Sequence, residues 1–291
     1  FLGNVCAQLI ARYKLAYSSL PPASTHNTEI LIELLSEISK KLKNGEKVVI
    51  LVDALDEADT LSVPQGANTL FLPSSPPNGI YFFATSRNTD LSLRVECEQD
   101  SMKIDQDSGD NLNDIREFIT LKFNQLGISA HENKGDSQKE DLVKQLVDKS
   151  QGNFMYLRYV LPEIAHGSYR DSNINDLPSG LLNYYEDHWR KMRGQNNNDW
   201  LDFQLPIITA LSIVEEPVPI SFIATISGIE DYRKVYSTLH EWQQFLYERK
   251  VTVQGKSQRQ YRVYHDSFRE FIEHKDEVDI QRAREINARA L

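Results

Sequence analysis

The sequence is short of cysteine, with Cys6 and Cys97 as its two thiols. Two thiols make neither a disulfide framework nor a four-ligand zinc site of the usual kind, and they read as free thiols in a reducing cytosol. Long apolar runs are missing as well. The longest, Val48–Val52 and Ile80–Ala84, fall far below the ~20 residues that span a bilayer. Nor is there a basic excess: 32 Lys and Arg stand against 42 Asp and Glu, a formal net charge of −10. General nucleic-acid binding and a hold on anionic lipid are therefore not expected, although a local basic patch is compatible with that total. There is no repeat period and no low-complexity tract. No signal peptide is visible, but the first residue is Phe1 rather than Met, so that absence excludes little.

What is present is an ordinary globular composition, 40% hydrophobic and 25% charged over 291 residues. It is enough for two or three domains with real cores. Residues 1–13 and 29–43 carry apolar side chains at helical spacing, and Asn44-Gly45 reads as a left-handed stop. Residues 47–52, apolar from Val48 onward, and 80–84 are near-continuous aliphatic or aromatic runs, the pattern of strands buried on both faces of a parallel sheet. Helix followed by buried strand indicates an α/β layer. From Asp105 the texture turns helical, at 111–125, 137–150, 154–166 and 177 to about 193, with a polar break at 194–198. Further helices are expected at 201–214, 219–226 and 232–242. Two strand-like segments, 245–253 and 260–264, are joined by a turn at Gly255, and a short helix starts from Ser267. Helices followed by a hairpin suggest a winged-helix module.

Three stretches carry chemistry. In the first, Asp53 ends an apolar strand, where α/β sheets bind ligands, and can hold Mg²⁺ shared with phosphate oxygens. Asp56 and Glu57 add acidity suited to positioning or activating a water; the plainer alternative is an acidic loop solvating a strand end. In the second, Thr85, Ser86 and Arg87 leave the neighbouring strand and offer hydroxyls and a guanidinium fork to a terminal phosphate. In the third, Ser267 and Glu270 fit a capping box that puts His265 just before a helix N-terminus. There it serves either as an anion donor or as a histidine satisfied within a packed turn.

These stretches together resemble a family. The strand followed by Asp53-Ala54-Leu55-Asp56-Glu57 resembles the Walker B region of NACHT-domain STAND NTPases, and Ala84-Thr85-Ser86-Arg87 resembles their sensor-one element. Gly152-Asn153-Phe154-Met155-Tyr156 is similar to the helical domain of NACHT proteins that carry WD repeats. Tyr264-His265-Asp266-Ser267-Phe268 resembles the winged-helix histidine motif that contacts the β-phosphate of ADP in the resting state. The resemblance covers nearly the whole chain in family order. It implies an α/β plus all-α fold: part of a P-loop NTPase parallel sheet over 1–107, a helical lid over 108–198, a winged helix over 199–275 and the start of a further helical segment over 276–291. It further implies a cytoplasmic signalling switch that binds ATP or ADP with Mg²⁺, hydrolyses slowly, self-oligomerises and works with flanking sensor or effector domains. By resemblance Asp53 is the metal ligand, Asp56 and Glu57 are catalytic, and Thr85, Arg87 and His265 bind nucleotide.

One departure matters. No G-x-x-x-x-G-K-[ST] loop occurs, and the one Gly-Lys-Ser, at 255–257, has Lys250 in place of the first Gly and reads as a hairpin turn. The expectation is a carboxyl-terminal fragment of a nucleotide-binding unit that alone binds nucleotide weakly, if at all, and leaves the 48–52 strand with an unpaired edge. Two rivals stand beside the switch: a DNA-binding regulator acting through the winged helix, and a non-hydrolysing scaffold. The count over 199–275, 9 Lys and Arg against 11 Asp and Glu, disfavours the first.

Overall fold

In the computed structural model the described residues are 1–21, 28–58, 67–89, 91, 93–128, 136–167, 174–253 and 255–290. The chain is mixed α/β and mostly helical. It divides into two compact units, Phe1–Lys103 and Ile104–Leu291.

The first unit is built from helices α1 (Leu2–Tyr13) and α2 (Thr28–Lys41) and parallel strands β1 (Val48–Val52) and β2 (Ile80–Ala84). Leu2, Cys6 and Leu9 of α1 share one core with Leu31, Leu34, Leu35 and Ile38 of α2 and with Val48, Ile50, Val52 and Ile80 of the strands. Between α2 and β1 the chain turns through Gly45, whose φ of +87° is open to glycine at little steric cost. The pair runs in register from Val48 opposite Ile80 to Val52 opposite Ala84.

Burial of this sheet differs from the sequence expectation. Val49 and Leu51 are 61% and 67% exposed, and Tyr81 and Phe83 on the same face are 48% and 54% exposed. Side chains alternate across a strand, so only the even-numbered residues meet the two helices. An unbroken apolar run marks a strand with two apolar faces, but whether both are covered depends on what lies across them. Here one face is open, and each strand has an outer edge without a pairing strand among the described residues.

The second unit starts with α3 (Gly109–Leu126), α4 (Asp136–Ser150), α5 (Phe154–Ala165) and α6 (Leu181–Gln195). Ser108 caps α3 by accepting from the Asn111 amide, and Gly127 ends it at φ +64°. A single turn, α7 (Asn197–Asp199), runs into a π-helical stretch, Trp200–Gln204, and then α8 (Leu205–Ser212). The expected helix from 201 is thus wider at its start. Pro206 has no N–H for the carbonyl four residues earlier, which disfavours regular α winding there. Strand β3 (Val218–Pro219), α9 (Ile220–Ser227), α10 (Tyr232–Glu241), β4 (Leu246–Val253), β5 (Lys256–Val263), α11 (Asp266–Glu273) and α12 (Ile280–Ala290) follow. The strands form an antiparallel sheet in the order β3-β5-β4. One core runs from Ile115 through Tyr185, Trp189, Trp200, Trp242 and Phe245 to Phe268 and Ile272, so residues on both sides of position 198 share it.

Candidate functional site

The carboxyl ends of β1 and β2 bring together five of the six residues singled out in the sequence. The Thr85 amide donates to Val52 O at 2.9 Å and the Leu55 amide donates to Thr85 O at 2.8 Å, so backbone pairing continues one step past the strands. That zipper holds the two acidic and hydroxyl-bearing segments side by side. The Thr85 hydroxyl donates to Asp53 Oδ1 at 2.5 Å and accepts from the Ala54 amide at 2.9 Å. Between them Ala54 takes a left-handed conformation, φ 52° and ψ 53°, which swings the chain into a tight turn at Leu55–Glu57. Such a conformation costs a non-glycine residue roughly 1–3 kcal/mol and is often held at functional sites.

The turn aims two carboxylates at Arg87. Its backbone amide donates to Asp56 Oδ1 at 2.9 Å, and its guanidinium lies 3.4 Å from Asp56 Oδ2 through Nε and 3.6 Å from Glu57 Oε1 through Nη2. Arg87 and Glu57 are each about half exposed on their side chains, whereas Asp56 is largely covered. Asp53, Thr85, Glu57 and Arg87 therefore line one exposed strand edge, with Asp56 beneath as the anchor of the arginine.

No group of three or more His, Cys, Asp or Glu side chains able to hold a metal occurs among the described residues. Asp53 is therefore outside any such cluster, and its carboxylate by itself is a candidate ligand. It suits Mg²⁺, which keeps several waters and binds through one or two carboxylates plus phosphate oxygens. It does not suit a cation caged by protein alone.

His265 lies in the second unit and is exposed. The capping-box reading is corrected here. His265 itself is the N-cap of α11, its Nδ1 accepting from the Ser267 amide at 3.1 Å. Ser267 sits at the second helical position instead, its Oγ 2.7 Å from His265 Nδ1 and 3.0 Å from the Tyr185 hydroxyl. With Nδ1 as acceptor, the neutral imidazole carries its proton on Nε2. Tyr185 and Ser267 thus orient the ring from behind. Ser267 was read from the sequence as the cap, whereas Tyr185 was missed because it lies 80 positions from His265 and sits among ordinary core aromatics.

The stretch that resembled a helical domain has a local structural reason. Asn153 caps α5 by accepting from the amides of Met155 and Tyr156. Gly152 has φ +71°, and a Cβ there would stand 2.2 Å from the carbonyl oxygen of Gln106. A larger residue at 152 has neither the backbone angle nor the space.

No protein-family model matches the chain, and no curated protein matches it.

Proposed function

We propose that the chain works as part of a nucleotide-dependent switch of the STAND type, with the exposed carboxyl edge of β1 and β2 facing the phosphates of ATP or ADP. The convergence of Asp53, Thr85, Asp56, Glu57 and Arg87 on one parallel-strand edge is the observation that carries this reading. Open α/β sheets bind ligands at that edge.

Each residue has a defined part. Thr85 fixes the rotamer of Asp53, so the carboxylate is oriented before it meets a hydrated cation. Mg²⁺, when bound, neutralises phosphate charge. Arg87 is held by Asp56 and Glu57 through contacts of 3.4 and 3.6 Å at a half-exposed position. Both contacts are longer than an ideal charged hydrogen bond, so a phosphate competes with the two carboxylates for the guanidinium fork. Glu57, half exposed at the same edge, is the carboxylate placed to orient a water, as general-base chemistry requires. His265, with its proton on Nε2, is a donor suited to a β-phosphate oxygen. ADP contact there would favour a closed resting state, and ATP would favour opening and self-oligomerisation. The phosphate-cradling loop this reading needs is not among these 291 residues.

The test uses the natural full-length protein. Asp53→Ala should weaken Mg²⁺–nucleotide binding by at least tenfold. Glu57→Gln should keep affinity within about threefold while slowing turnover by a factor of roughly 100 or more, in the range for general acid–base groups. Equal loss of affinity in the two variants overturns the assignment of roles.

A further inference from the structure

The near-neutral charge balance over residues 199–275 conceals a segregation. Residues 232–263, which form α10, β4 and β5, hold 7 Lys and Arg and only 2 Asp and Glu. The β4–β5 hairpin alone carries Arg249, Lys250, Lys256, Arg259 and Arg262 against the single carboxylate of Glu248.

Strand register distributes these cations over both faces of the ribbon. On the face that buries Tyr261 and Val263 toward the core, Lys250 stands opposite Arg259, which lies 3.5 Å from Glu248. On the other face Tyr247 stands opposite Arg262, Arg249 opposite Gln260, and Val253 opposite Lys256, with no carboxylate. The Arg249 Nε donates to Gln260 Oε1 at 2.8 Å, and the Arg262 guanidinium lies 5.4 Å from the Tyr247 ring centre. These contacts orient two cations without neutralising them. At ~3.4 Å per residue the eight-residue strands extend about 27 Å.

We propose that this hairpin is a docking prong for double-stranded nucleic acid, set into a groove with phosphates on either side. The proposal is independent of the nucleotide switch. The major groove of B-form DNA admits a two-stranded β-ribbon. In the distal part of the hairpin Lys250 and Arg259 are exposed on one face and Arg249 and Lys256 on the other, so that part of the ribbon meets the phosphates of both walls. A flat anionic membrane would engage one face only. An acidic peptide added to the open edge of β4 would bond mainly to backbone and would be little affected by charges on the carboxylate-free face.

The 291-residue chain is titrated into a fluorescein-labelled 20-base-pair DNA duplex and followed by anisotropy over a series of salt concentrations. Binding should be measurable at about 50 mM salt and weaken on a log–log slope of roughly −3 to −5, near −0.9 per phosphate contacted. Arg249→Glu with Lys256→Glu on one face, and Lys250→Glu on the other, should each lower affinity at least tenfold with an unchanged melting temperature. The milder pair Arg249→Gln with Lys256→Gln should flatten the slope by about 2. Absence of binding at 50 mM salt overturns the proposal, as does binding that none of these changes weakens. Sensitivity confined to one face, or preference for phosphatidylserine vesicles over DNA, assigns the patch to a membrane and overturns it equally.

Discussion

His188 shows how one side chain couples this fold to pH. It sits in the aromatic core of the second unit, 4.9 Å from the Trp242 ring and 4.8 Å from the Phe245 ring. Its Nδ1 meets the Gln244 amide at 3.2 Å, while its Nε2 has no hydrogen-bond partner among the described residues. Burial first, and Lys191 second, pull its pKa down to about 4, against a smaller opposing effect of Asp187. The folded protein therefore refuses a proton that the unfolded chain takes up near pH 6.5. Stability from this group is complete above pH 6.5 and is lost as pH falls toward 4, by about 3 kcal/mol at most. Chemical denaturation across pH 4–7 should show that slope in the native protein and a flatter one in His188→Gln. Identical slopes would assign the acid sensitivity elsewhere. Nothing in the sequence distinguishes His188 from the other six histidines, because its neighbours Trp242, Gln244 and Phe245 lie over 50 positions away. His265 is the opposite case. Its place before a helix was legible, but its role as the cap itself depended on a side-chain geometry that spacing does not specify.

At the scale of elements, β1 presents two different surfaces from one apolar run. Ile50 is buried against the helices while Leu51 is mostly exposed, and Phe83 stands opposite Leu51 on the same open face. Burial, not composition, determines what each is worth, at roughly 25 cal/mol per Å² removed from water. Ile50→Thr should therefore destabilise the first unit by about 2 kcal/mol or more, since it loses apolar burial and inserts a hydroxyl. Leu51→Thr and Phe83→Thr should shift stability by less than about 1 kcal/mol while reducing dye binding and self-association of the chain. Denaturation midpoints and sedimentation velocity compare them directly, and equal destabilisation by all three would mean that the open face is covered in solution. Strands β1 and β2 were legible from their aliphatic and aromatic runs to within a residue. Which face meets water was not, since a run without polar residues leaves no alternation to read.

At the scale of the molecule, two cores lie in two units, one including Leu34 and Ile38 and the other Trp242 and Phe268. Separate cores predict two cooperative thermal transitions rather than one. Leu34→Ala should lower one transition by about 2–5 kcal/mol and Phe268→Ala should lower the other by about 3–5 kcal/mol, each leaving its counterpart in place. Calorimetry on both variants checks this, and a single transition that both variants lower together would show the units to be energetically coupled. By itself the sequence determined most helices, the strands at 48–52 and 80–84, the hairpin turn at Gly255 and the clustering of Asp53, Asp56, Glu57, Thr85 and Arg87 at strand ends. All of these follow from local periodicity and from the parallel pairing that two apolar runs require. The sequence did not show β3, and it placed the start of β5 four residues late. Only the tertiary structure decided that Asp56 anchors Arg87, that Tyr185 and Ser267 stand behind His265, and that the Lys and Arg of residues 246–263 occupy both faces of one ribbon. Those outcomes depend on side-chain direction and on contacts between distant segments. Residue order constrains them only through the packing of the whole.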